Sequence, residues 1–202
     1  MFKKVIIVLL GMTLFFSCQS GRAVRRITDE GLMFAMIYDF ANTPVNAVTV
    51  YLNNRRVVES DIQGRFILEN MRRGEYNIRL TKRGYETFED TFYFDPLHVF
   101  YFRMINTSQL ITFAETALDN REFGTAENFI NRALVIEPNR PDILFLRSIA
   151  FHLQNRNEEA AVILENLIRA GNTERAVFQM LEIIMPTLDQ QVTEIQENEP
   201  EE

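Results

Sequence analysis

From Gly31 to about Met104, apolar and polar residues alternate with the two-residue period of strands that bury one face. Val48, Val50 and Leu52 fall on one side, with Thr49 and Tyr51 on the other; Phe66 and Leu68 repeat the pattern. So do Tyr76, Ile78 and Leu80 against Asn77, Arg79 and Thr81, and Phe100, Phe102 and Met104 against Val99, Tyr101 and Arg103. Turn chemistry separates the runs at Asn42-Thr43-Pro44, Asn53-Asn54, Asp61-Ile62-Gln63-Gly64, Arg73-Gly74 and Arg83-Gly84, where glycine permits positive φ and proline fixes φ. About seven short strands at this spacing predict a sandwich of two antiparallel sheets over residues 31–105. After Asn106 the period becomes helical. Five helices are predicted, the last from about Thr173 to Met185, amphipathic through Val177, Met180, Leu181 and Ile184, with Gly171 closing the helix before it and Asn172 or Thr173 as N-cap. Beyond Pro186 the chain turns acidic, ending in Glu197, Glu199, Glu201 and Glu202, so residues 187–202 are expected to be a largely disordered tail. The predicted class is α+β in two domains, a β-sandwich followed by an all-α stack of helical hairpins.

A different pattern opens the chain. Lys3 and Lys4 precede an apolar run from Val5 to Phe16, the basic and apolar regions of an export signal. At about 1.5 Å per residue a helix over that run falls well short of the roughly 30 Å hydrocarbon core, which argues against a permanent span. Cys18, the single cysteine, follows directly. A lone thiol has no intramolecular disulfide partner. Phe15-Phe16-Ser17-Cys18 resembles a bacterial lipobox, in which a small residue precedes a cysteine that is diacylated and becomes the new N-terminus. The resemblance implies a signal peptide over residues 1–17, a lipidated Cys18, and a tether over 18–30 that holds the protein to the inner or outer membrane of the cell envelope, its folded part in the periplasm or outside. Several acyl chains anchor firmly where one binds only marginally. The alternatives are an ordinary secretory peptide cleaved nearby and a free thiol.

Composition narrows the partners. At 47% hydrophobic and 24% charged, the 202 residues suit one or two small globular domains. Removing residues 1–17 takes away two lysines and no acid, so the formal charge moves from −7 to −9. Such a balance argues against nucleic acid as the main partner. Arg22, Arg25 and Arg26 cluster just after Cys18, where they either touch anionic lipid headgroups or belong to a solvated linker.

Two family resemblances cover most of the remainder. Ile37-Tyr38-Asp39, Thr43-Pro44-Val45-Asn46-Ala47-Val48-Thr49-Val50, Ser60-Asp61-Ile62-Gln63-Gly64-Arg65-Phe66, Arg73-Gly74-Glu75-Tyr76 and Lys82-Arg83-Gly84-Tyr85-Glu86 resemble, in order and spacing, the carboxypeptidase regulatory-like domain. That resemblance implies a seven-stranded, transthyretin-like sandwich without catalytic residues, and hence a scaffold or binding role. From Thr107, the residues Leu110, Phe113, Ala114, Ala117, Phe123, Ala126, Ile130, Ala133 and Pro138 resemble a tetratricopeptide repeat. A step of that family's 34-residue period reaches Leu144, Ser148, Phe151, Ala160, Leu164 and Leu167, with Arg147 in place of the large apolar residue at Phe113. Residues 107–186 are thus expected to hold two repeats plus a capping helix. Two is fewer than the three such stacks usually need, so they would lean on the β-domain, the capping helix or a second copy.

No catalytic constellation is apparent. His98, in a late strand, and His152, in a helix, lack a second ligand at metal spacing, and no phosphate loop, dinucleotide fingerprint or nucleophile elbow occurs. Asp61, Gln63 and Gly64 lack the alternating acids and distal glutamate of a calcium loop. Glu158-Glu159 and Glu201-Glu202 are adjacent charges rather than carboxylates flanking a scissile bond. The reading is a non-enzyme with no cofactor and no metal.

The favoured function is therefore a membrane-anchored envelope adaptor whose helices grip a protein partner on a concave surface, with Asn120, Asn131, Arg147 and Phe151 as candidate lining residues. A glycan- or peptidoglycan-binding module is the alternative, with Tyr85, Tyr93 or Tyr101 as a stacking platform. A passive structural lipoprotein is the third reading.

Overall fold

The computed structural model describes residues 30–197. The predicted signal peptide, Cys18 and nearly all of the tether lie outside the described residues.

Seven strands form first: β1 (Glu30–Tyr38), β2 (Thr49–Leu52), β3 (Arg55–Glu59), β4 (Arg65–Arg72), β5 (Gly74–Thr81), β6 (Phe88–Phe94) and β7 (Val99–Arg103). They make a three-stranded sheet in the order β4-β1-β7 and a four-stranded sheet in the order β3-β2-β5-β6. Period-2 alternation decides which side chains turn inward. Met33, Ala35, Ile37, Phe66, Leu68 and Phe102 of the first sheet join Val50, Leu52, Ile78, Leu80 and Phe94 of the second in one buried cluster. Phe92, packed against this cluster, meets both Phe100 and Phe102 edge to face, its centroid 4.9 Å from that of Phe100, while Phe100 and Phe102 stack.

The expectation of purely antiparallel sheets is corrected by β7, which pairs parallel to β1 with Phe34 opposite Val99 and Tyr38 opposite Arg103. β7 follows β6 of the other sheet and crosses to the edge of β1, so no hairpin forces it to oppose its new neighbour. All other pairings are antiparallel.

Gly64 shows why the turns carry the residues they do. Its φ is +71°, and a Cβ there would sit 2.4 Å from the Ile37 carbonyl oxygen. Its own carbonyl accepts from the Ile37 N–H at 2.8 Å, tying the β3–β4 turn to β1.

Five helices follow: α1 (Thr107–Asp119), α2 (Phe123–Ile136), α3 (Pro141–Leu153), α4 (Asn157–Arg169) and α5 (Arg175–Glu197). Asn106 starts α1 through a reciprocal cap, its side chain accepting from the Gln109 N–H at 2.9 Å while the Gln109 side chain accepts from the Asn106 N–H. Pro141 opens α3 at a position where its missing N–H costs nothing. The helix boundaries repeat: α1, α3 and α5 start 34 residues apart, as do α2 and α4. The hairpin turns repeat too, since Arg121 and Asn155 both take positive φ and equivalent turn hydrogen bonds follow each. Fully buried Ala114, Ala126, Ala133 and Ala160 let neighbouring helices approach closely.

α5 departs from the expected end. It runs through Pro186 to Glu197, so residues 187–197 are helical rather than a disordered tail; residues 198–202 lie outside the described residues. Pro186 is exposed and removes a single intrahelical donor. Leu188, Val192 and Ile195 continue the apolar spacing set by Ile184, a signal that the acidic composition masked. No described helix is long and apolar enough to cross a membrane.

Strands and helices are joined directly. Ile105, just past β7, is buried among the α1–α3 side chains. Its carbonyl accepts from the Glu86 N–H at 2.9 Å, and the Thr107 N–H donates to the Gly84 carbonyl at 3.1 Å.

Candidate functional site

Three clefts mark the helical region. The first, about 580 Å³, runs between the first helices of the two hairpins. Leu118 and Leu146 form its buried floor; Ile149 is half-buried and Leu153 is 48% exposed. Glu115 and Asp119 line its α1 side, one turn apart, and Arg121 and Phe123 close one end. Neither carboxylate makes an ion pair among the described residues and both are exposed, with Arg121 the one cation of the lining. The cleft thus offers an apolar floor beside an acidic rim, a chemistry suited to an apolar segment carrying a basic side chain.

The second cleft, about 450 Å³, lies between α3 and α4 and contains Arg147 and Phe151 with Glu158, Glu159, Val162 and Ile163. The Phe151 ring is 5% exposed. Two guanidinium groups lie near it, those of Arg156 at 4.0 Å and Arg147 at 5.3 Å from its centroid. Arg156 also bonds Glu159 and Glu127, which links α4 to α2. Phe151 is therefore mainly a packing residue of this cleft's wall.

The third cleft, about 390 Å³, sits where helices meet strands and holds Asn120 beside Phe40, Ile105, Phe113 and Phe129. Phe40 stacks edge-on against Phe113 at 6.2 Å, and Phe113 contacts Phe129 at 5.5 Å. Arg132 lies 5.6 Å from the Phe129 centroid and is held there by Glu86, whose carboxyl it keeps below the ordinary glutamate range. Asn131 is exposed on α2 and lines none of these clefts.

The four candidate lining residues are thus dispersed: Arg147 and Phe151 together, Asn120 elsewhere, Asn131 alone. The residues that line the α1–α3 groove were legible by another route. Glu115 and Ile149, and likewise Asp119 and Leu153, are 34 residues apart, so the period that aligns the core also aligns the groove.

The tyrosines do not meet. Tyr93, 62% exposed, projects outward from the four-stranded sheet, and Tyr101, 66% exposed, projects outward from the three-stranded sheet. Tyr85 is half-buried against the β-core with the Lys82 ammonium 5.2 Å from its ring centroid. His98 stands in the exposed turn before β7 rather than in a strand, and His152 Nδ1 lies 2.7 Å from Asn157 Oδ1, joining the end of α3 to the start of α4. Asp61 is a turn residue: its Oδ1 accepts from the Gln63 and Arg65 N–H groups, and those bonds with the Arg65 guanidinium hold its carboxyl below the ordinary aspartate range. Among the described residues no three His, Cys, Asp or Glu side chains converge as a metal site would require.

No protein-family model matches the chain, and no curated protein matches it. Among solved structures, part of the chain is similar to a streptococcal ancillary pilin at 21% identity and a TM-score of 0.31. That similarity covers 38% of this chain and 29% of the pilin chain.

Proposed function

We propose that this protein is a lipid-anchored lipoprotein of the cell envelope, acting as a non-catalytic adaptor that captures a protein segment in the groove between α1 and α3. In this reading the seven strands are a single carboxypeptidase-regulatory-like sandwich serving as a spacer. The helices are tetratricopeptide-type repeats, α5 supplying the first helix of a third unit. The observation that carries the reading is the groove itself, an apolar floor of Leu118, Leu146 and Ile149 beside the exposed carboxylates of Glu115 and Asp119. The 34-residue recurrence of helix starts and turn geometry supports it, because stacked hairpins of constant period leave such a groove along one side.

The test is crosslinking in intact cells followed by mass spectrometry, comparing the native chain with Leu153→Glu and with Glu115→Lys/Asp119→Lys. Leu153 is half-exposed, so its replacement leaves the fold in place while putting a charge on the groove's apolar edge. One reproducible partner that both variants lose is the expected result. An unchanged set of crosslinked proteins would overturn the adaptor reading and leave a passive structural lipoprotein. Incorporation of labelled fatty acid, abolished by Cys18→Ser, tests the anchor separately.

A further inference from the structure

The outer face of the three-stranded sheet breaks the usual rule for a sheet with one side in water, which puts polar side chains there. β1 places Leu32, Phe34, Met36 and Tyr38 on that face, opposite to its buried Met33, Ala35 and Ile37. Register then gathers the patch: Phe34 lies between Ile67 and Val99, and Met36 between Arg65 and Tyr101. Leu32 is 58%, Ile67 51%, Val99 49% and Tyr101 66% exposed, so no described part of the chain covers them. Contiguous exposed apolar groups of this kind mark an interaction surface.

What surrounds and precedes the patch identifies its occupant. Arg65 and Arg103 stand at one end and Arg72 at the other; Arg65 is paired with Asp61 and Arg72 with Glu30, Glu69 is exposed near Leu32, and Arg103 has no carboxylate partner among the described residues. The undescribed N-terminal residues lead straight into this strand. Arg26 is four residues before Glu30, so at no more than about 3.5 Å per residue it lies within about 14 Å of the patch's end whatever path the chain takes. Arg22 and Arg25 are close behind, and Cys18 is twelve residues away, a reach of at most about 42 Å. An apolar centre with tyrosines, arginines at its ends and a basic segment entering beside it is the chemistry of a bilayer surface containing anionic headgroups.

We infer that the outer face of β4-β1-β7 lies against the membrane, the apolar side chains reaching the headgroup boundary while the arginines meet lipid phosphates. This inference takes its membrane from the anchoring reading, and the experiment separates the two.

The chain is extracted from its native membrane and reconstituted on phosphatidylcholine vesicles containing phosphatidylglycerol and a lipid with a photoactivatable group on its acyl chain. Labelled peptides and the mass of the Cys18 peptide are then read together. Labelling on β1, β4 and β7 is expected, falling about tenfold in Ile67→Glu/Val99→Glu, because a charge on a lipid-facing surface opposes insertion. Tyr101→Glu, at the most exposed position of the patch, provides a second variant should the double one fail to fold. Labelling confined to residues before Glu30 on an acylated chain overturns the inference and leaves the anchor standing. Labelling of the sheet on a chain without acyl groups supports the inference and removes the anchor. The same vesicles are treated in parallel with a non-selective photoreactive protein crosslinker, and copies joined through β1, β4 or β7 with the sheet free of lipid label overturn it in favour of a homomeric interface.

Discussion

Arg132 of α2 donates from Nε and Nη2 to the two carboxylate oxygens of Glu86, at 2.9 and 2.7 Å, closing a two-pronged ion pair between the helices and the segment before β6. Both side chains are 35% exposed, so solvent screens the pair, and its worth is about 1 kcal/mol rather than that of a buried pair. Arg132 depresses the Glu86 pKa in the folded state. The contribution is therefore fully present above the unfolded glutamate value of about 4.3 and is lost as pH falls through the lower folded value. Glu86→Gln should unfold at lower urea than the native chain at pH 7, and the gap should close as pH falls through and below the ordinary glutamate range. A gap unchanged across that range would show that the pair is not the coupling.

Gly64 and Gly84 share a left-handed φ, +71° and +78°, but only the first is crowded. Gly84→Ala should cost about 1 kcal/mol for conformation alone. Gly64→Ala adds a clash with the Ile37 carbonyl and should cost about 3 kcal/mol or more. Equal denaturation midpoints for the two variants would contradict the close approach of the turn to β1.

Ser60 is buried and satisfies two backbone groups at once, accepting from the Val48 N–H at 3.0 Å and donating to the Val45 carbonyl at 2.9 Å. Ser60→Ala leaves both without their side-chain partner. A loss of about 2 kcal/mol is expected in chemical denaturation. A change below a few tenths would mean that these groups find other partners.

Asn106 caps α1 and bridges to Tyr85. Asn106→Ala should cost about 1 kcal/mol and speed amide exchange in the first turn of α1, most clearly at the Gln109 N–H. Slow exchange at Gln109 in the variant would assign the protection to packing instead.

Local structure was legible in the order of residues alone, because alternation at period 2 and period 3.6 is a property of neighbouring residues. Val48, Val50 and Leu52 face inward as their spacing demands, Gly64 turns where its neighbours require positive φ, and the 34-residue step aligns Ala126 with Ala160. That β7 returns beside β1 and runs parallel to it emerges from long-range packing, since alternation specifies a face but neither a direction nor a neighbour. Placement likewise separated Asn120 from Arg147 and Phe151, and sent Tyr93 and Tyr101 to opposite outer faces. The apolar outer surface at Ile67, Phe34 and Val99 exists for the same reason: three distant segments each contribute one side chain, and strand register brings them into a row.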